Sequence, residues 1–212
     1  EDHAVLEKKG FLLVDSGATY MDGTTDITRT YPLGPLTEDE KRFYTWTLQS
    51  HIDLAKAVWL DYCECKMIDT IAREPLWRHL INYRCGTGHS VSFVGNVHEG
   101  PHALNSRNTT RMRPGMVVTD EPGVYETDLV GIRIENELVC VHKADNQYGT
   151  FLGFEPLMFV PIATSPILPG VLDKDEIAWL NDYHRQVFAK LAPHLNDEER
   201  SWLAEKCAAI GC

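Results

Sequence analysis

A chain of 212 residues with 43% apolar side chains is long enough to bury one substantial core. Its 31 acids against 20 lysines and arginines leave a formal charge of -11, which disfavours nonspecific binding to nucleic acid or to an anionic membrane and leaves negative charge for bound cations to neutralise. No stretch approaches the roughly 20 apolar residues of a bilayer span, and the opening EDHAVLEKKG has neither the basic nor the apolar region of a signal peptide, so the sequence reads as a fragment cut just before its first strand.

FLLVD (11–15) is a nearly continuous apolar run and predicts a buried strand. Asp22-Gly23 is a turn signal, TTDITRTYPL returns as a β-branched strand, and Gly34-Pro35 closes it. Thr37 and Glu40 form a capping box with Leu36 in the staple position, so a helix should run from about Glu38 to Trp59, with Phe43, Trp46, Leu54, Val58 and Trp59 on one broad face. A second helix is expected around Ile68–Leu80, kinked or shortened by Pro75. Val91–Val97, Met116–Thr119, Gly131–Val141 and Phe154–Pro161 then read as strands between glycines and prolines. Helices return at about Lys174–Leu191 and after Asn196, where Glu199 completes a second capping box. Strands are grouped rather than alternating singly with helices, which predicts an α+β fold and excludes a Rossmann domain. The six cysteines, Cys63, Cys65, Cys85, Cys140, Cys207 and Cys212, include no CxxC, and a chain of this size needs no disulfides, so they read as reduced, mostly structural thiols.

Five hard donors are spread over these strand-like segments: Asp15, Asp26, His89 in GTGHS, Glu121 in TDEPG and Glu135 in RIEN. A carboxylate inside FLLVD is costly to bury unless it is paired, hydrogen-bonded or metal-bound. A hairpin turning symmetrically about Asp22-Gly23 sets Asp26 opposite Thr19 and puts Asp15 four residues further along, on the same face. At about 3.4 Å per residue that offset is too large for one shared metal unless the strand bends, as Gly17 permits. Composition and spacing fit equally well with Asp15 capping a turn and Asp26 facing solvent. GTG lacks the lysine and the strand–helix context of a phosphate loop, so the signal for nucleotide binding is weak. A lone histidine in such a segment is more often structural, although His98 follows close by. Glu135 alternates with Arg133 and should share its strand face, where the arginine can hold a metal-binding carboxylate in one rotamer; for this pair alone an ordinary Arg–Glu ion pair is the simpler account.

The stretches VDSGATYMDGTTDITRTYPLG, GTGHSVSFVGNVHEGPH, MVVTDEPGVY and GIRIEN resemble, in order, the motifs of the Xaa-Pro aminopeptidase family, aminopeptidase P, within the superfamily of methionine aminopeptidase, prolidase and creatinase. The tail, FEPLMFVPI followed by DEIAWLNDYH, resembles the C-terminal part of the longer cytosolic-type members. The resemblance implies a pita-bread fold, with a curved antiparallel sheet and flanking helices around a dinuclear metal site. It implies a catalytic part over 1–165 and a C-terminal helical extension over 166–212 packed on it. Asp15 would ligate one metal, Asp26 would bridge the two, His89 would bind the second, Glu121 would ligate the second and act on the nucleophilic water, and Glu135 would bridge both. His98 falls on the histidine that stabilises the tetrahedral intermediate and Arg133 on the arginine beside the bridging glutamate; His102 carries no family role. The implied activity is release of the N-terminal residue from peptides with proline in second place. Two divalent cations are implied, Mn2+ first, with Co2+ or Zn2+ as alternatives. The setting implied is cytoplasmic. A homodimer belongs to the same expectation, with Trp179 and Trp202 as contact candidates and helix core as the other place for both.

Two departures qualify this expectation. Cys85, Ser90 and Ser92 stand where the family reads histidine, glycine and glycine, so a donor near the substrate is lost and close backbone approach to a ligand is altered. Family members also carry more chain upstream, so the first half of the fold is expected to be incomplete and the isolated chain to have little peptidase activity. Prolidase, which cleaves Xaa-Pro dipeptides, is the neighbouring reading; a metal-free binding relative is the reading from another class.

Overall fold

The computed structural model describes residues 5–211. The chain opens with a hairpin. Strands β1 (Phe11–Tyr20) and β2 (Gly23–Pro32) pair antiparallel around Met21-Asp22 without a register break. The turn is centred one residue earlier than expected, so Asp26 faces Gly17 rather than Thr19, and Asp15 faces Thr28. A register change of two residues keeps every side chain on its face. Asp15 and Asp26 are therefore diagonal neighbours, positions roughly 7–8 Å apart in such a pair, and no bulge is needed. Gly17 serves close strand approach instead: a Cβ there would lie 2.6 Å from the Thr25 carbonyl oxygen. The expected burial of the first strand does not hold. Among the described residues β1 pairs with β2 alone, Phe11 to Leu13 are half-buried, and Val14 and Asp15 are exposed.

Helix α1 (Glu38–Ala55) starts at the Thr37 capping box, as expected. It ends short of Trp59. The Lys56 and Ala57 amides close onto Ile52 and Leu54, and Val58–Leu60 becomes a strand, β3. β3 pairs with β10 (Gly149–Pro156), which brings Trp59 against Phe154 with ring centres 4.6 Å apart. Val58 and Trp59 continued the helical spacing, yet β-branched and aromatic residues suit a strand better. Helix α2 (Cys65–Trp77) begins three residues before the expected start and ends three before the expected end, with Pro75 in its last turn.

The remaining strands are β4 (Gly88–His89), β5 (Ala103–Leu104), β6 (Val117–Asp120), β7 (Gly123–Glu126), β8 (Val130–Arg133) and β9 (Asn136–Asn146). A four-stranded antiparallel sheet runs β3-β10-β9-β6; β4 pairs β5 and β7 pairs β8. Three expectations are corrected. Val91–Val97 is irregular, with Phe93, Val94 and Val97 exposed, because its glycines and polar residues offer no alternating buried face. Gly131–Val141 is two strands, broken at Ile134-Glu135, where the chain leaves β7 to join β6 and β10. The last strand lies at Gly149–Pro156, earlier than Phe154–Pro161. Helix α3 (Lys174–Leu191) has the expected limits, and α4 (Asp197–Lys206) starts at its Asn196 capping box.

Two apolar clusters share α1. One lies between α1, α2 and the four-stranded sheet and includes Leu54, Ile68, Val118, Leu138 and Leu152. The other lies under α3 and α4 and includes Leu48, Ile52, Ile132, Ile134, Leu180 and Val187. Within the second, His184 is fully buried and its Nε2 accepts the Ile162 amide at 3.1 Å. Burial, with Arg29 nearby, pushes its pKa down to about 4. The unfolded chain takes up a proton near pH 6.5 and the folded chain does so only near pH 4, so stability must fall as pH drops between these values. Urea titrations of the wild type should lose about 3 kcal/mol across this window relative to His184→Gln, which keeps an acceptor for Ile162 but cannot titrate. Parallel pH profiles for the two proteins would contradict the assignment.

Candidate metal centre

Four short elements converge on one patch. β2 carries Asp26 and Thr28; β4 carries His89; β6 ends one residue before Glu121; and the break between β8 and β9 presents Glu135. β4 can lie against β6 because Gly88 has no Cβ: one would overlap the Thr119 carbonyl. The His89 amide then donates to Thr119 Oγ1 at 3.0 Å, and Thr119 donates to Glu121 Oε1 at 2.8 Å.

His89 Nε2 lies 3.4 Å from Asp26 Oδ2 and 3.2 Å from Glu121 Oε1. One donor atom each from Asp26, His89 and Glu135 lies within 4.8 Å of the other two. Glu135 accepts from Thr28 Oγ1 at 2.5 Å. Asp15 stands apart from this group. Its half-exposed carboxylate is gripped by Arg133 Nη2 at 2.5 Å. The same guanidinium donates to Tyr125 Oη at 2.7 Å and Thr28 Oγ1 at 3.1 Å, and its Nε is 3.8 Å from Glu121 Oε2. Arg133 thus pairs with Asp15, and it shares the Thr28 hydroxyl with Glu135. The structure brings Asp26, His89 and Glu135 together, joins Glu121 to them through His89, and brings Asp15 to their edge through Arg133.

His98 is exposed, and its ring lies 3.9 Å from that of His89 between centres. His102 is buried and donates from Nε2 to the Val117 carbonyl at 2.7 Å, a structural role. Cys85 is exposed and is held by its backbone carbonyl, which accepts from Arg73 Nη2 at 2.9 Å. Ser90 donates its hydroxyl to the Glu99 carbonyl, so this side chain is spent within its own loop rather than turned toward the donors.

Three carboxylates around one imidazole repel each other, and the cluster takes up protons in response. Burial and the negative charge of Glu121 push the Glu135 carboxyl up to about 8, against the opposing hydrogen bond from Thr28. Burial works against a charged imidazole at His89, but its bonds to Asp26 and Glu121 outweigh that and raise it to about 10. Glu137, buried below Asp26, is raised to about 7 chiefly by burial. A carboxylate-rich donor set with one imidazole suits hard to borderline divalent cations, and such cations would supply the positive charge that protons supply here.

Residues 1–142 match the model of metallopeptidase family M24, and residues 150–210 match the C-terminal region of that peptidase family. The chain belongs to this family. Aminopeptidase P1 of Lotus japonicus is 41% identical over 217 residues, spanning 100% of this chain and 33% of the relative. The crystal structure of X-prolyl aminopeptidase from Caenorhabditis elegans, described as a cytosolic enzyme with a di-nuclear active site, superposes with a TM-score of 0.88 at 40% identity over 93% of this chain and 33% of its own. Prolidase from Pyrococcus furiosus is more distant, with a TM-score of 0.59 at 29% identity over 70% of this chain and 40% of its own. The chain therefore spans about a third of the length of its aminopeptidase relatives. The M24 fold is the pita-bread fold expected, an α+β arrangement of curved antiparallel sheet and flanking helices, here covering part of the relatives' chains.

Sequence reading missed Thr28, Thr119 and Arg29. Thr28 and Thr119 each lie two residues from a donor on the same strand face, so alternation alone would have found them. Arg29 lies on the opposite face and carried no local signal.

Because His89 and Glu135 hold protons more tightly than usual, protons compete with metal, and apparent affinity must fall as pH is lowered from 8 to 6. Titration calorimetry of Zn2+ into the metal-free chain at pH 7, in buffers of different ionisation enthalpy, should show about two protons released. Release near zero would mean the donors were already bare.

Proposed function

We propose that the chain carries the metal centre of an Xaa-Pro aminopeptidase, which releases the N-terminal residue from peptides with proline in second place. The observation that carries this is the gathering of Asp26, His89, Glu121 and Glu135 in a chain that is 40% identical, over 93% of its length, to an X-prolyl aminopeptidase with a di-nuclear active site. The prolidase relatives match at lower identity and TM-score, which favours the aminopeptidase over the dipeptidase.

In this reading Asp15, Asp26, His89, Glu121 and Glu135 hold two divalent cations, with Mn2+ the first choice for so carboxylate-rich a set. Bound there, two such cations would lower the pKa of a water and polarise the scissile carbonyl. Glu121 takes the proton of the attacking water and passes it to the proline nitrogen, and Thr119 fixes its rotamer. His98, exposed and with its ring tilted against that of His89, donates to the developing oxyanion. Arg133 keeps Asp15 turned inward despite its exposure. The bond before proline is a tertiary amide without N–H, so a site selecting it must read the ring and the free α-amine.

The same reading places the protein in the cytoplasm, as its nematode relative is described, and divides the chain at 165/166, with α3 packed on α1. A homodimer would use Trp202, which is exposed; Trp179 stacks on Tyr183 at 5.4 Å within the molecule.

Hydrolysis of Xaa-Pro-Xaa and Xaa-Pro peptides tests the reading. Given the share of the relatives that this chain spans, absolute rates should be low; turnover should favour the tripeptide, vanish with a chelator and return with Mn2+. Glu121→Gln should lower kcat by about 10^3 with KM little changed. Chelator-insensitive turnover, or a preference for the dipeptide, would overturn it.

A further inference from the structure

Asp120 and Asn136 are the last pair of the β6–β9 ladder. One residue beyond it the strands part. The Glu121 amide turns to the Thr87 carbonyl at 2.7 Å, and the Glu135 amide to the Thr28 carbonyl at 3.1 Å. The two glutamates therefore stand on the arms of a fork, and no β6–β9 bond sets their separation. Side chains alternate across a strand, so Thr119 and Glu121, and likewise Glu135 and Glu137, face the donor cluster while Asp120 and Asn136 face α1.

His51 of α1 sits behind the base of this fork, fully buried. Its Nδ1 lies 3.2 Å from the Asp120 carbonyl and 3.1 Å from Asp120 Oδ2. Its Nε2 lies 3.2 Å from Asn136 Nδ2. One imidazole thus spans the cross-strand pair. The directions of these bonds follow from Arg29, which can only donate. Arg29 Nη2 donates to Asn136 Oδ1 at 2.8 Å, which turns Asn136 Nδ2 toward the histidine. An amide nitrogen donates, so Nε2 accepts and the ring hydrogen sits on Nδ1, facing Asp120. Trp179 packs edge-on against the ring at 5.9 Å and contributes no hydrogen bond to it.

We infer that His51 is a positioning residue for the metal centre: by pinning Asp120 to Asn136 it sets the spacing of Glu121 and Glu135, which the parted strands leave open. The inference rests on the metal reading of those two glutamates. His51 touches neither of them and acts through the backbone one residue away.

Two variants separate this role from simple packing. His51→Phe keeps an aromatic ring against Trp179 and removes both polar contacts. His51→Gln keeps one donor and one acceptor. The Phe variant is expected to bind Co2+ at least about tenfold more weakly by calorimetry, as loss of an outer partner of metal ligands does, and to change the visible absorption of the Co2+-loaded chain. The Gln variant should recover most of both. Wild-type affinity and spectrum in the Phe variant would overturn the inference, as would a loss in the Gln variant as large as in Phe. Should the Phe variant not fold, nitrogen-15 NMR of the wild-type ring decides: the hydrogen must sit on Nδ1 in the metal-free and Zn2+-loaded chain, and a hydrogen on Nε2 overturns the inference. A wild-type chain that takes up neither Co2+ nor Zn2+ sinks the metal reading and this inference with it, whereas wild-type uptake with an unaffected Phe variant sinks the inference alone.

Discussion

One buried guanidinium holds the hairpin, the sheet and the C-terminal region in a single arrangement. Arg29, on β2, donates to the carbonyls of Thr28 (2.8 Å), Glu135 (2.5 Å) and Val160 (2.7 Å), to Asn136 Oδ1 and to Tyr183 Oη (2.9 Å). It is 3% exposed and has no carboxylate partner within bonding distance among the described residues. A buried charge of this kind is tolerable only when every donor finds an acceptor. That requirement fixes where the strand break at Ile134-Glu135 and the segment before α3 must lie. The hairpin carrying Asp26 is thereby registered against the arm carrying Glu135, and the donor cluster exists only because this joint does.

The cluster is an electrostatic problem the fold does not solve by itself. Thr28 and Thr119 each supply a neutral hydrogen bond to a glutamate, and Arg133 supplies a full charge, but mainly to the outlying Asp15. The three inner carboxylates have His89 in their midst and, beyond it, only the long 3.8 Å approach of Arg133 to Glu121 among the described residues. A site built to hold anions close without enough cations of its own is stable as folded only with protons or metal ions in the gap. Selectivity for Mn2+, Zn2+ or Co2+ is then a matter of donor type and spacing rather than of charge alone.

Much of this could be read from the chain. Helix starts were read correctly where a capping box wrote them, at Thr37 and Asn196, because that signal is local and stereochemical. Helix ends were read less well. Val58 and Trp59 continued the apolar spacing of α1, and only the distant strand β10 decides that they are β. The donors stood out because acids in apolar strand segments are rare. Their spacing did not, since it hung on a hairpin register that differs by two residues once the turn is centred on Met21-Asp22. The parts that stayed hidden join elements far apart in sequence: Arg29 with Asn136, His51 with Asp120, Arg133 with Asp15. No local pattern marks such pairs, whose meaning is created by the topology.

Helix α1 has a further consequence. It is buried from Thr47 to Ile52 on every side, and the two apolar clusters meet on it. Neither cluster can open without stripping one flank of this helix, so they lack the independence that would let one melt while the other persists. The amides of its central turns should be the slowest in the molecule to exchange with solvent, opening only when the whole assembly of strands and helices comes apart in one cooperative step.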